Sequence, residues 1–414
     1  MKTLIFVFLL FLTASISSQW TVQTTITGTL YSISAVNNDV AWACGPTANI
    51  VRTTNGGQNW SAINTVPVNV PLYNIFAIDA NSALVTGTGD FSYVWKTTNG
   101  GVNWVQVLSQ EFGFLNGIHI NTNGTGFLTG DPVGGRWSLW KTTNYGSSWD
   151  STGMRLPAIN FEFGFQNALH VNGSNYYFGS NDSRIYVSTN SGTSWTARTT
   201  TIKNPFAIWF NGTIGIAGGT SVTTPGVNRS TNSGTSWVSV TVPTTNPAGG
   251  LVGDGTWFWI ARGSTIYRST DNGVTWAANS SDNVLGWVNH MCKSRTGNML
   301  WAVTSSGEIC SSEGVLTGLS STSGLLPENY SLSQNYPNPF NPVTNIEFSV
   351  PKSSFVKLTV SDVTGREIVT LVNQNMTAGT YKADWDASKY SSGIYFYTIT
   401  SGSYRETKKM MLVK

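Results

Sequence analysis

Two carboxylates stand in matching sequences: Glu111 opens Glu-Phe-Gly-Phe-Leu-Asn and Glu162 opens Glu-Phe-Gly-Phe-Gln-Asn. A carboxyl pair held about 5–5.5 Å or about 6.5–9.5 Å apart is the acid/base set of a glycoside hydrolase. A third carboxylate, Asp131, shares the segment 130–137, Gly-Asp-Pro-Val-Gly-Gly-Arg-Trp, with Arg136 and Trp137. Asp90, Arg155, Asp182 and Arg184 complete the charged set, and Tyr93, Phe112, Phe163 and Trp137 add aromatic surface. Sparse polar groups beside aromatic faces suit a neutral sugar or a peptide. Two readings follow. One is a non-catalytic binding surface made of Asp90, Tyr93, Glu111, Asp131, Arg136, Trp137, Arg155, Glu162, Asp182 and Arg184. The other is a hydrolytic site using Glu111, Glu162 or Asp131, helped by Arg136. The plain alternative is that both glutamates are repeat residues paired to arginine or backbone. The binding reading is preferred because no catalytic set assembles from the sequence.

Other chemistry is sparse. His119 and His170 occupy equal positions on two expected inner strands, but two histidines without a third ligand are channel lining rather than a metal site. No phosphate-cradling loop, Ser-His-Asp set or nucleotide fingerprint is present, so no cofactor and no metal are expected. Cys44, Cys292 and Cys310 form no disulfide framework and are read as small buried hydrophobes. Only 10% of the 414 residues are charged, against about 25% in an average soluble domain. With a net charge of +3, this excludes a coiled coil, a charged disordered chain and a basic nucleic-acid arm.

The elements that must position these residues come from a repeat. An eight-residue motif recurs at 53–60, 97–104, 142–149, 188–195, 230–237 and 269–276, as in Thr-Thr-Asn-Gly-Gly-Gln-Asn-Trp and Ser-Thr-Asp-Asn-Gly-Val-Thr-Trp. Its glycines are 44, 45, 46, 42 and 39 residues apart, the period of propeller blades. Asn or Asp folds onto nearby amides, Gly supplies a positive φ and Trp anchors the turn between sheets. Hairpin patterns recur at 31–45, 73–87, 115–130, 166–180, 205–219, 248–263 and 288–305. A degenerate seventh motif is placed at 309–314. The segment from Trp20 reads as the outer strand of the last blade. A seven-bladed β-propeller is expected over 19–318, with six blades as the alternative. In that topology Asp39, Asp79, Asp254 and Asp271 serve turns on one face. The ten candidate residues lie on the opposite face, where ligands enter. Arg52, Lys96, Lys141, Arg229 and Arg268 precede their motifs at one register, read as a solvated strand position.

The motif resembles the Asp-box (BNR) repeat of sialidase-like and photosystem II assembly factor-like propellers. Residues 269–276 match it at every fixed position and the other five put Asn for Asp. A sialidase would need three converging arginines, and Arg136, Arg155 and Arg184 are the only trio. Asp-box xyloglucanases use two propellers around a cleft, and one is present here.

The ends concern destination. Lys2, the apolar run Leu4–Leu12 and the polar exit Thr13–Gln19 read as a signal peptide (1–18), cut near Ser17 or Ser18. No segment is long and apolar enough to span a membrane. A linker at 319–329 precedes candidate strands at 344–350, 355–362, 366–372, 379–385, 393–400 and 404–413, a small immunoglobulin-like β-sandwich over 330–414. The stretches Tyr-Pro-Asn-Pro-Phe-Asn-Pro at 336–342, 356–368, 385–397 and Lys-Lys-Met-Met-Leu-Val-Lys at 408–414 closely resemble the type A sorting domain of the type IX secretion system of Bacteroidota. Ser361 departs from the aromatic expected there. The resemblance implies recognition by the translocon and sorting machinery. It also implies passage to the surface or medium, and in the family the domain is commonly cut off, sometimes with attachment to lipopolysaccharide. The protein is thus expected to be a secreted or surface monomer that meets an extracellular glycan or protein, and not nucleic acid.

Overall fold

The computed structural model describes residues 20–46, 49–63, 65–67, 69–220, 226–283, 286–313, 320–321, 327–352, 354–376, 379–387 and 390–414. The expected signal peptide lies outside the described residues, as does most of the linker. The chain forms two compact units, one over Trp20–Thr317 and one holding Gly318–Lys414. Among the described residues there are strands and irregular segments but no helix.

The seven hairpin patterns each become the first two strands of an antiparallel sheet. The innermost strands are Ser32–Ala35, Leu72–Ala77, Leu115–Ile120, Leu169–Asn172, Lys203–Asn211, Ala248–Asp254 and Val288–Lys293. Each touches the next in this order, and the last touches the first, so the ring is closed. The core lies between sheets. Trp42 and Ile50 of the first sheet pack with Ile75, Val85 and Trp95 of the second. Ala207 and Ile216 of the fifth pack with Leu251 and Ile260 of the sixth.

Closure uses both ends of the unit. Thr21–Thr25 pairs antiparallel with Glu308–Glu313, Thr21 opposite Ser311 and Thr25 opposite Glu308. Trp20 is buried with Trp259, Met291 and Leu300. The segment 309–314, expected as a degenerate motif, is instead mostly strand: Glu308–Glu313 is the third strand of this sheet. Ile309, Cys310, Ser311 and Ser312 are all buried in this strand, and the segment has no Asn or Asp to fold onto a turn.

The six motifs fold identically. In the first, Thr53 Oγ1 bonds Asn55 Oδ1 (3.0 Å) and accepts Gly57 N (3.0 Å), and Asn55 Oδ1 accepts Asn59 N (3.0 Å). In the sixth, Asp271 takes the same bonds from Ser269 and Thr275 and also accepts Val274 N. Desolvation raises the Asp271 pKa, but the bonds from Thr275, Ser269 and Val274 together outweigh it and hold the carboxyl at about 2, below the usual carboxylate range. Gly57 has φ +86, and a Cβ there would press on Trp301 of the neighbouring sheet. The glycine is therefore needed twice, for its φ and for the close approach.

The basic register is more than solvated. Arg52 Nη1 donates to Gly100 O (3.1 Å), Lys96 Nζ to Ser147 Oγ (2.8 Å), and Arg229 Nε to Asn272 O (2.6 Å). Each reaches the motif turn of the following sheet. Arg268 instead lies over the Trp257 ring, 5.0 Å from its centroid.

The C-terminal unit has two four-stranded sheets. One orders Ser320–Ser321, Gly379–Asp386, Val343–Val350 and Ser331–Leu332; the other orders Glu367–Met376, Ser354–Ser361, Gly393–Ser401 and Tyr404–Leu412. Alternating residues of both, including Phe348, Leu358, Val360, Trp385, Tyr397 and Ile399, share one core.

Deleting residues 20–25 should open the seventh sheet and expose the Glu308–Glu313 edge. The expected outcome is a lower melting temperature with concentration-dependent oligomers in size-exclusion chromatography. An unchanged monomer would contradict closure by this strand. Trp20→Ala alone should cost about 3–5 kcal/mol in chemical denaturation.

Candidate ligand site at the channel mouth

The inner strands surround a channel with a cavity at each end. The mouth, about 560 Å³, is walled by Tyr73, Phe114, Phe163, Phe165, Phe206, Trp209 and Trp287. The lower cavity, about 410 Å³, is lined by His119, Asp254, Lys293 and Arg295, among others. Asn167, His170 and His290 border both.

The connection between the third and fourth sheets supplies Phe163, Phe165 and Asn167 to the mouth. Every other sheet has a fourth strand, but the third has three. Its connecting chain turns inward instead. At φ +60, Asn167 donates its N–H to Asn74 Oδ1 (2.9 Å) and Asn116 O (2.8 Å), and its side-chain amide to Tyr31 O (2.8 Å). Ser32 Oγ donates to Asn167 Oδ1 (2.8 Å). One residue before the fourth sheet thus ties the first, second and third, and it floors the mouth.

Asp131 lines the mouth. Its Oδ1 accepts Asn116 Nδ2 (2.9 Å) and Gly164 N (2.7 Å). Burial raises its pKa, opposed by the bonds from Asn116, Gly164 and Phe114. Glu162 is buried and saturated. It accepts from Ile159 N, Ser180 Oγ and Arg184 Nη1, each at 2.9 Å, and from the Tyr186 hydroxyl. Arg184 also pairs with Asp182 (2.9 Å). Burial and the Glu162 bond raise the Tyr186 pKa. Glu162, Asp182 and Arg184 therefore form a structural ion cluster, and Glu162 offers no free oxygen for acid/base work.

Glu111 does not share that setting. It ends the outer strand Val105–Glu111, opposite Phe91, and is exposed. The matched sequences thus fold differently, because Glu111 ends an outer strand whereas Glu162 lies in the connection that follows the three-stranded third sheet. Asp90 is exposed in the turn before Phe91–Thr97, and Tyr93 is half-buried, its ring 4.8 Å from that of Trp95. Trp137 is no surface aromatic: it is 2% exposed, packed on Phe178 and Tyr186. The Gly134-Gly135 turn extends the hairpin, and strand alternation then points Trp137 into the core. Arg136 and Arg155 line a third cavity away from the mouth. Of the ten predicted binding residues, Asp131 alone lines the mouth, joined there by Phe163.

Several mouth residues were missed. Trp287, 56% exposed, sits in a connecting segment outside the repeat, and a Trp between a motif and the next hairpin is the signal that could have found it, whereas Phe206 lies on the inner strand Lys203–Asn211. His290, a third histidine, joins His119 and His170. Burial lowers their pKa values to about 4, 4 and 3 respectively, so all are neutral at neutral pH. His170 Nε2 accepts Phe210 N (3.0 Å) and His290 Nδ1 accepts Ile33 N (3.2 Å). Among the described residues no group of three or more His, Cys, Asp or Glu could hold a metal. Asp254, expected to serve a turn, is buried at the lower cavity and pairs with Lys293 Nζ (2.7 Å). Burial lifts its pKa to about 6, with Lys293 opposing. Asp79 does serve a turn, accepting Asn81 N and Ser82 N (2.7 Å each).

Residues 334–414 match the family model described as the secretion system C-terminal sorting domain. That match implies export through the type IX secretion machinery. No helix among the described residues is long and apolar enough to cross a membrane. No curated protein matches the chain in sequence. The fold is similar to that of YCF48 from Cyanidioschyzon merolae, 18% identical over 72% of this chain and 99% of that one, TM-score 0.57. A structure of YCF48 bound to D1 peptide is similar too, 17% identical over 72% and 98%, TM-score 0.58. The extracellular domain of a putative one-component system, BT4673 from B. thetaiotaomicron, is 9% identical over 96% of this chain, TM-score 0.52, and the match spans 58% of that domain. These likenesses show the β-propeller fold.

Glu162→Gln should lower unfolding free energy by about 2 kcal/mol, the worth of a charge-assisted buried bond. Glu111→Gln should stay within about 0.5 kcal/mol of wild type. Equal effects in urea denaturation would contradict the different settings of the two glutamates.

Proposed function

We propose that the exported chain is a non-catalytic, monomeric binding propeller whose ligand, a neutral glycan or a protein segment, seats in the aromatic mouth. The observation that carries this is the mouth itself. It is of ligand-binding size, walled by phenylalanine and tryptophan, and it holds one carboxyl group. Phe112, Phe161 and Phe163 stand exposed on the same connections, Phe161 by 99%. Exposed aromatic clusters of this kind mark interaction sites. YCF48 with a D1 peptide is a precedent for peptide binding by a propeller of similar fold. A glycoside hydrolase is the second reading. It is favoured by Asp131 alone, whose place in the mouth and burial-raised pKa suit a general acid.

Glycan and peptide arrays should be run beside a hydrolysis screen. Trp287→Ala and Phe163→Ala are expected to weaken binding about tenfold or more each, with no turnover and with binding kept in Asp131→Asn. Turnover abolished by Asp131→Asn would establish the hydrolase instead.

Export has its own test. Removing residues 327–414 should leave a folded propeller retained in the periplasm of a type IX-competent host. Equal amounts of truncated and full-length protein in the medium would refute the sorting role.

A further inference from the structure

The missing outer strand of the third sheet leaves the third cavity, away from the channel mouth. Asp150 and Pro157 still bridge to Lys141 and Arg136, but the chain between them arches away. Trp137 N donates to Leu156 O (2.9 Å) and Lys141 N to Asp150 O (2.8 Å). By strand alternation Leu139, midway between them, directs its N–H and C=O to the same edge. No described residue bonds either group, although Leu139 is 2% exposed. The gap opens a cavity of about 410 Å³ lined by Arg136, Arg155, Ser151, Thr152, Leu139 and Trp140, among others, and by no carboxylate. Neither arginine joins an ion pair among the described residues. The nearest acid in sequence, Asp150, spends Oδ1 on Thr152 N (2.9 Å).

We infer that this cavity is an oxyanion site that takes a carboxylate or sulfate group carried on an extracellular acidic glycan. Two guanidinium groups give charge-assisted donors for an oxyanion. The buried Leu139 N–H, which costs free energy while unpaired, supplies a third donor. Both ends of the gap are closed by backbone bridges, so an extended peptide cannot run through as an added strand. A compact, ring-sized acidic group fits from the side. Trp140, its Nε1 already bonded to Gln110 (3.2 Å), leaves its ring as a sugar-stacking wall.

The test titrates the full chain, by calorimetry and tryptophan fluorescence, with oligogalacturonate, a sulfated oligosaccharide and a neutral oligosaccharide of equal length. Further arms are free sulfate, free acetate and a peptide with a free or amidated C-terminus. One or both acidic oligosaccharides should bind, weakening as salt rises, and which one binds separates carboxylate from sulfate. Arg136→Gln/Arg155→Gln should reduce that affinity tenfold or more. Its melting temperature and its neutral-ligand binding at the mouth should stay as in wild type, while Trp287→Ala should leave the acidic affinity unchanged. Should the double variant melt early, salt dependence and competition by free sulfate or acetate in the wild type decide. The inference falls if no acidic oligosaccharide binds, if the neutral one binds as well, if the Arg variant binds normally, or if the free-carboxylate peptide binds more tightly.

Discussion

A sheet with two apolar faces is stable only when both faces are covered. A ring of such sheets meets that demand only by closing. Here closure depends on one antiparallel pairing, Thr21–Thr25 on Glu308–Glu313, which joins residues nearly three hundred positions apart. Until it forms, the third strand of the seventh sheet presents an unpaired edge. Around it, Ile33, Ala41 and Ala43 of the first sheet pack on Trp301, Val303 and Ile309 of the seventh, a cluster that exists only in the closed ring. The motif turns propagate the same constraint locally. Each glycine abuts the preceding sheet, and Arg52, Lys96 and Arg229 reach the turn of the following one. Arg268 precedes a sheet without such a turn, and it finds the Trp257 ring instead.

The regular parts were legible because they are local. A hairpin shows as two apolar runs about a turn residue, and all seven patterns, with all six C-terminal strands, formed where alternation put them. The closing strand was legible because an arithmetic mismatch, seven hairpins against six motifs, demanded it. The site was poorly legible, for reasons that particular residues make plain. Trp137 and Arg136 are neighbours on one strand, so they point to opposite sides. Which one faces solvent depended on whether Gly134-Gly135 was a loop or a two-residue turn. Glu111 and Glu162 carry the same following tripeptide, but one ends an outer strand and the other lies in a connection folded inward. Asp254 looked like a turn residue and became a buried partner of Lys293, a contact between adjacent sheets that spacing does not encode. Trp287 lies outside any repeat, and Phe206, on the inner strand Lys203–Asn211, carries no mark that it faces the mouth.

What distinguishes this propeller is therefore concentrated where the repeat fails. The third sheet forgoes its outer strand, and the chain released, 143–168, does several things at once. It carries Glu162 into the cluster with Arg184 and Tyr186, brings Gly164 N onto Asp131, places Phe161 and Phe163 at the rim, and inserts Asn167 across to Tyr31 and Ser32. It also leaves the Leu139 edge uncovered between two arginines. The six regular sheets bear the cost of this irregular one, since their packing holds Asn167 in a left-handed conformation that costs a non-glycine residue free energy. Four hydrogen bonds to three other sheets over-determine that conformation. The same four bonds fix the mouth floor, so the ligand proposed for it would meet a preformed surface and lose less in ordering it.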